Sequence, residues 1–237
     1  MGLCPGSAHA SAKLQLSKDG KTLTLTSHLY FYGADANETI AKDCANEINL
    51  YWNGGTHLDS VIRPVSAQAL GAKEEFQMQV SGEVISPDLA KKLLASHPSP
   101  EFNFIQILKG KPGVDHSFMN RICGNSGTWY LSDELGTSTT AAHEFGHGIC
   151  LKHPFTADMR GRGAPRMMVP KNSLVDAQFQ IDPHARAGKA GGVLNPLLRR
   201  VFQSDVDEID WEDLRFDANG VSSLGGDAPE LYPERVY

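Results

Sequence analysis

The chain lacks the features that direct a protein into a membrane or onto nucleic acid. Its N-terminus has neither the positive stretch nor the apolar stretch of a signal peptide, and no apolar run reaches transmembrane length. It contains no basic block, and 28 acidic residues outnumber 22 basic ones to give a net charge of −6. We therefore expect no membrane span and no nucleic-acid partner, because nucleic-acid binding requires clustered positive charge.

Cysteine is also scarce. The four cysteines are widely spaced, without a Cys-x-x-Cys pair: Cys4, Cys44, Cys123 and Cys150. This spacing excludes a zinc ribbon, but it leaves open whether the thiols are free or form one or two disulfides. Cys4 lies in a small, polar leader, and it is the one thiol that could reach a metal from outside the domain.

What is present is an ordinary globular composition. Hydrophobic residues make up 41% and charged residues 21% of the 237-residue chain, which suits one domain with a sizeable core. We expect a flexible leader over residues 1–12 and a single monomeric domain over residues 13–237.

Apolar periodicity predicts an α+β domain. The expected elements are a hairpin over residues 13–32, a helix from Asp35 or Asn37 to Trp52, a strand over 75–86, a helix over 87–95, strands over 102–108 and 128–131, and a last helix over 205–216 capped by Ser204. Residues 154–200 are predicted to be irregular, and a loop of that length is usually functional. The tail from Asn219 is expected to be coil.

One short run carries the chemistry: His143-Glu144-Phe145-Gly146-His147. Polar residues followed by alanines predict that a helix begins near Thr137 or Ser138 and includes this run. Histidines four apart lie on one face of that helix, where both can bind one zinc ion. The glutamate then stands where it can take a proton from water held by the metal.

His153, six residues after His147, supplies a third nitrogen. Three protein ligands with a fourth position free distinguish a catalytic zinc from a structural one. The competing interpretation is an amphipathic helix whose histidines are simply solvated. The remaining histidines have no ligand spacing, so we expect them at the surface or hydrogen-bonded in the core: His9, His28, His57, His97, His116 and His184.

With its third histidine the run resembles the metzincin metallopeptidases, whose pattern is HExxHxxGxxH followed by a turn that contains methionine. The matching turn is Met167-Met168-Val169-Pro170, and Gln203-Ser204-Asp205-Val206 resembles the start of the last helix in the matrixin branch. The resemblance covers about residues 123–216. It implies a twisted mixed sheet, an active-site helix, a methionine turn and a C-terminal helix. It also implies that Met168 is an apolar floor beneath the metal and not a ligand.

The chain departs from this pattern at Cys150, which stands where the family has glycine. That glycine allows a sharp turn toward the third histidine, and a side chain there is costly if φ is positive. His184, Asp158 and Asp205 therefore stay open as alternative third ligands. Cys150 itself shares the ligand face if the helix continues through it.

A looser resemblance is to peptidase domains at the C-terminal ends of bacterial polymorphic toxins, including Rhs and type VI secretion proteins. It rests on three short runs: Leu174-Val175-Asp176, Gln180-Ile181-Asp182-Pro183 and Gly191-Gly192-Val193-Leu194-Asn195-Pro196. Met1-Gly2-Leu3 is similar to the end of the junction at which Rhs cores release their toxin. The resemblance implies cargo that is secreted or delivered into a target cell without a signal peptide, and a cognate immunity protein as partner.

The residues and the resemblances together predict a zinc-dependent endopeptidase that acts on protein or peptide. His143, His147 and His153 are the expected zinc ligands, and Glu144 is the expected general base. Residues 128–131 have two interpretations: an edge strand to which an extended peptide adds, or a core strand in which Trp129 and Tyr130 are simply buried. Two other classes stay open: a zinc amidase that acts on cell-wall amides, and a non-catalytic binding domain that contains zinc.

Overall fold

A computed structural model describes residues 11–58, 63–67, 74–96, 99, 101–211 and 214–225. Within these ranges lie eight strands and four α-helices, which we number in chain order. The strands are β1 (Ala12–Leu16), β2 (Thr22–Tyr32), β3 (Ser66–Ala67), β4 (Glu74–Val84), β5 (Phe102–Leu108), β6 (Phe118–Met119), β7 (Ser126–Tyr130) and β8 (Val221–Leu224). The helices are α1 (Glu38–Trp52), α2 (Pro87–Ala95), α3 (Thr140–Gly148) and α4 (Gln203–Asp207).

The α+β class predicted from periodicity is confirmed, and so are the elements expected before residue 132. Local caps explain why α1 and α2 begin where they do. The side chain of Asn37 accepts from the N–H of Ile40 at 3.0 Å, and Ser86 accepts from the N–H of Leu89 at 3.2 Å. Strands β3 and β6 were not predicted, because two residues carry too little alternation to be recognised.

The strands form one mixed sheet in the order β3-β4-β2-β5-β7-β6. β2 is parallel to β4 along one side. On its other side, the first half of β2 is antiparallel to β1 and its second half is parallel to β5, so the sheet curls where the neighbours change. β8 adds to β1, and residues 221–224 are therefore strand rather than the expected coil.

Alternate residues of β2 point to opposite sides of the sheet. One side joins a large core that includes α1 and α3, and the other joins a small cluster beneath α2. The residues of β2 in the large core are Leu23, Leu25, Leu29 and Phe31, and those in the small cluster are Tyr30 and Tyr32. The helix that carries the histidine motif therefore shares its side of the sheet with α1.

Two buried polar contacts hold α3 against α1. The indole Nε1 of Trp52 donates to the carbonyl oxygen of Ala142 at 3.0 Å, and the carboxylate of Glu47 accepts from the N–H of Ala142 at 3.0 Å. The N-cap residue of α3, Thr139, makes no side-chain capping bond. Glu47 thus satisfies an N–H of the first turn of α3 from a neighbouring helix, where an anion is also favoured by the helix dipole.

The helix α3 begins at Thr140, later than the predicted start near Thr137 or Ser138. The reason lies in the preceding loop, where the hydroxyls of Ser138 and Thr140 both donate to the carbonyl oxygen of Asp133, at 3.1 and 3.0 Å. Side chains that bond to a loop carbonyl in this way compete with helix formation.

The last helix is much shorter than the predicted 205–216. α4 ends at Asp207, and Ser204 lies inside it rather than at its cap. The carbonyl oxygen of Val206 accepts from the N–H of Ile209 and from the indole of Trp211, which turns the chain out of the helix. No helix in the described parts of the chain combines the length and the apolar character needed to cross a membrane.

The stretch after α3 is irregular, as expected, but it is packed. Residues 154–200 contain two short 3-10 helices, and isolated bridges link distant parts of the stretch. An apolar cluster of its own supports it, formed by Met159, Val169, Val175 and Leu194 with Phe179 against them. This packing brings the methionine turn to the underside of α3.

Candidate active site

Three polar side chains of α3 are almost fully buried: those of His143, Glu144 and His147. One helical turn separates the two histidines, so both imidazoles project from the same face. The helix ends directly after them, and the chain turns to bring His153 to the same place.

The three imidazoles meet at their Nε2 atoms. The Nε2 of His153 lies 3.0 Å from the Nε2 of His143 and 3.0 Å from the Nε2 of His147. Two nitrogens bound to one tetrahedral zinc would be about 3.3 Å apart, which is close to these separations. The three histidines therefore form a cluster that can hold a metal ion.

The other ring nitrogen of two histidines is tied to the backbone. Nδ1 of His143 donates to the carbonyl oxygen of Met167 at 2.8 Å, and Nδ1 of His147 donates to the carbonyl oxygen of Leu151 at 2.9 Å. A carbonyl can only accept, so in each neutral ring the proton lies on Nδ1 and the Nε2 lone pair is free. The free Nε2 lone pairs of His143 and His147 both face Nε2 of His153, an arrangement that suits a shared cation, and backbone carbonyls commonly orient metal-binding histidines in this way.

Burial keeps His143 and His147 neutral, and it favours the neutral form of the more exposed His153 to a lesser degree. It lowers the pKa of His143 well below its usual value, lowers that of His147 to about 4, and also lowers that of His153. The Arg199 cation lowers all three further by charge repulsion. Because metals bind the neutral imidazole, the cluster is in its metal-binding form at neutral pH.

Glu144 lies beside the cluster, on the wall of the same cavity. Burial raises the pKa of its carboxyl to about 8, while the Arg199 cation and a hydrogen bond from the backbone of Met119 act in the opposite direction. A carboxyl whose pKa lies near neutrality can both accept and release a proton.

The cluster and Glu144 open into a cavity of about 540 Å³. Its lining includes the apolar side chains of Phe118, Met119 and Ile122 and the turn that contains Lys171. The Lys171 ammonium pairs with Asp133, which is almost fully buried. The cavity is thus large enough for part of a peptide, and it has the histidines at its wall.

The methionine turn lies against α3. Met168 is buried, and a Cβ added at Gly146 would collide with its Sδ. The neighbouring Met167 supplies the carbonyl oxygen that receives Nδ1 of His143. Met168 therefore packs against the helix, and Met167 orients the imidazole of His143.

The alternative third ligands lie elsewhere. His184 is exposed, and Asp158 pairs with Arg160 on the surface. Asp205 is fully buried, but its carboxylate accepts from the N–H of Phe202 and pairs with Arg166. Within the described residues, the cluster brings together only His143, His147 and His153.

The cysteines of the motif region are joined to each other. Cys150 forms a disulfide with Cys123, so its sulfur is not a thiolate that could face the metal. The φ of Cys150 is 77°, so this cysteine does adopt the positive φ that glycine usually takes at its place in the pattern. Cys44 is free and buried, and Cys4 lies outside the described residues.

The strand beside the cavity is β6, not residues 128–131. β7 is hydrogen-bonded to β5 on one side and to β6 on the other, and all five of its residues are buried. Of the two interpretations of residues 128–131, the edge strand is therefore wrong and the core strand is confirmed, because Trp129 and Tyr130 are buried. Phe118 and Met119 of β6 line the cavity instead.

The sequence did not predict Arg199 and Glu47, two buried charged residues whose charges act on the site or on each other. Arg199 is 3% exposed, lines the cavity, and donates from Nη1 to Oγ1 of Thr139 at 3.1 Å. Burial lowers its pKa to about 10, while Glu144 and Glu47 raise it. An arginine in an irregular stretch and a glutamate in an amphipathic helix look like ordinary surface residues, so no local signal could have found them.

No family model matches the chain, and no curated protein matches it.

Proposed function

We propose that the protein is a zinc-dependent endopeptidase. The observation that carries the proposal is the convergence of three Nε2 atoms beside the buried carboxyl of Glu144, on the wall of a cavity. Structural zinc is closed by four protein ligands, whereas catalytic zinc has three and an open position. No fourth histidine, cysteine or acidic residue joins the cluster in the described parts of the chain.

Zinc suits this set of donors, because neutral imidazole is among its preferred ligands. His143, His147 and His153 would hold the ion through Nε2. When bound, zinc supplies a Lewis acid that activates water and polarises a carbonyl group.

Glu144 is the residue that would move the proton. Its carboxylate accepts a proton from the attacking water and passes it to the amine nitrogen that leaves. Arg199 favours the ionised form needed for the first step, and burial favours the protonated form needed for the second. The opposition of these two effects supports a single residue that acts as base and then as acid.

The substrate would be an extended segment of protein that lies along β6. Phe118, Met119 and Ile122 offer apolar contacts, and Lys152 and Arg199 place positive charge in the same cavity. We extend the proposal to a toxin that a secretion system delivers, with a cognate immunity protein as its inhibitor. The support for this extension is the resemblance of residues 174–196 to such domains.

Glu144→Gln tests the proposal, since it keeps the volume of the side chain and removes its acid. We expect the variant to retain one zinc per chain by elemental analysis and to lose cleavage of denatured casein by about 100-fold or more. Toxicity on expression in bacteria should disappear with it. A variant that retains zinc and cleaves casein at the wild-type rate would show that Glu144 is not the base.

His153→Ala tests the third ligand, and His184→Ala is the matched control because His184 is exposed and outside the cluster. We expect zinc affinity to fall by about 100-fold or more in the first variant and to stay unchanged in the second. Purified cell wall is the alternative substrate to be assayed in parallel. Release of wall fragments without casein cleavage would replace the endopeptidase with an amidase.

A further inference from the structure

The end of α3 is a turn that reverses the chain toward His153. The N–H of Leu151 donates to the carbonyl oxygen of Gly146 at 2.9 Å, and the N–H of Cys150 donates to that of His147 at 3.1 Å. These two bonds form a Schellman motif, in which the residue after the C-cap is left-handed. That residue is Cys150, with a φ of 77°. Glycine usually takes this place, because a Cβ makes the conformation costly.

A disulfide joins this left-handed Cys150 to a distant loop. Its partner, Cys123, lies in the loop between β6 and β7, directly after Ile122, which lines the cavity. The N–H of Cys123 also donates to the carbonyl oxygen of His147, at 2.8 Å. The loop is therefore joined to the end of the helix twice, once through the disulfide and once through the backbone.

The turn positions two groups that belong to the histidine cluster: the carbonyl that orients His147, and the ring of His153. The carbonyl oxygen that orients His147 belongs to Leu151, the residue directly after Cys150. His153 follows two residues later, and its Nε2 reaches the other two rings. If Cys150 left the left-handed region, the Leu151 carbonyl and the His153 ring would both move away from their partners.

We propose that Cys123 and Cys150 are a positioning pair for the third metal ligand, so that the cluster is complete in the oxidised chain and incomplete in the reduced one. The proposal rests on the metal site proposed above, but not on hydrolysis. Oxidation of the two thiols to the disulfide releases two protons and two electrons, which a disulfide exchange partner takes up as it becomes a dithiol. Both cysteines are partly exposed, so such a partner can reach them. Oxidising compartments are where this bond would persist.

Two variants separate the bond from the turn. Cys123→Ser removes the disulfide and leaves a side chain at the left-handed position, whereas Cys123→Ser/Cys150→Gly removes the disulfide and supplies the residue that tolerates it. We expect the single variant to bind zinc about tenfold more weakly, from the cost of a side chain in that conformation, and the double variant to recover to within about threefold of wild type. Cys44→Ala is the control, because Cys44 is buried and forms no disulfide.

Zinc affinity would be measured by competition with a chromogenic chelator, with circular dichroism to show that each variant is folded. Wild-type protein is reduced with a phosphine, and the phosphine is then removed under argon. Its zinc affinity should match that of Cys123→Ser. In zinc-free protein, NMR of the imidazole nitrogens should show the Nδ1–H tautomer of His147 in the oxidised wild type and in the double variant.

The proposal fails if folded Cys123→Ser binds zinc as tightly as wild type. It also fails if the double variant stays as weak as the single one, since the disulfide would then act elsewhere than at the turn. A chain that follows the expected pattern of zinc affinity but cleaves no substrate would refute the endopeptidase and leave the positioning pair intact.

Discussion

Glu47 is a buried acid whose removal tests the link between α1 and α3. Its side chain is wholly buried, and its Oε1 accepts from the N–H of Ala142 at 3.0 Å. Its Oε2 has no hydrogen-bond partner among the described residues. Burial raises the pKa of this carboxyl from 4.5 to about 7, against backbone N–H groups and the Arg199 cation, which lower it.

The sign of the effect on stability follows from the direction of this shift. Because the pKa is higher in the folded state, the proton stabilises the fold, and the cost of ionising the carboxyl is absent below about pH 4.5. The cost grows as the pH rises and is complete above about pH 7. A shift of this size corresponds to about 3 kcal/mol of unfolding free energy.

Glu47→Gln keeps the shape of the side chain and an oxygen that can face Ala142, but it cannot ionise. We expect its unfolding free energy, relative to wild type, to increase by about 3 kcal/mol between about pH 4.5 and about pH 8. Urea unfolding followed by circular dichroism at both pH values measures this difference. Glu38→Gln, on the exposed side of the same helix, controls for the loss of one negative charge. Parallel pH profiles for wild type and Glu47→Gln would refute the reasoning.

Two further predictions concern the packing around α3. Gly146→Ala places a Cβ against Sδ of Met168, and we expect a loss of about 1–3 kcal/mol in unfolding free energy. The double variant with Met168→Ala should lose less than the sum of the two single variants, and strict additivity would contradict the contact. Arg199→Met should cost about 3–5 kcal/mol, because it leaves buried acids without their cation. That cost should be larger near pH 8 than near pH 5, since Glu47 and Glu144 ionise between these values, and an equal cost at both would contradict the charge interaction with Arg199.

Sequence patterns predicted an element well where its own neighbours in the chain stabilise it. The limits of α1 follow from the Asn37 cap and from apolar spacing that continues to Trp52. The start of α3 was placed too early, because Ser138 and Thr140 bond to a loop carbonyl instead of extending the helix. The aromatic residues at 128–131 suited an edge strand and a core strand equally, since only the sheet order shows that β6 lies outside β7.

The residues of the candidate site also differ in whether local or tertiary contacts place them. The sequence by itself determined that His143, Glu144 and His147 lie together, because one helical turn imposes this at short range. Only the tertiary structure decided that His153 completes the cluster, since the turn before it is held by Cys123, 27 residues away from Cys150 along the chain. Arg199 reaches the same cavity from a still more distant stretch. Contacts of this kind leave no periodic signal in the sequence, because they depend on how separate elements pack rather than on the geometry of any one of them.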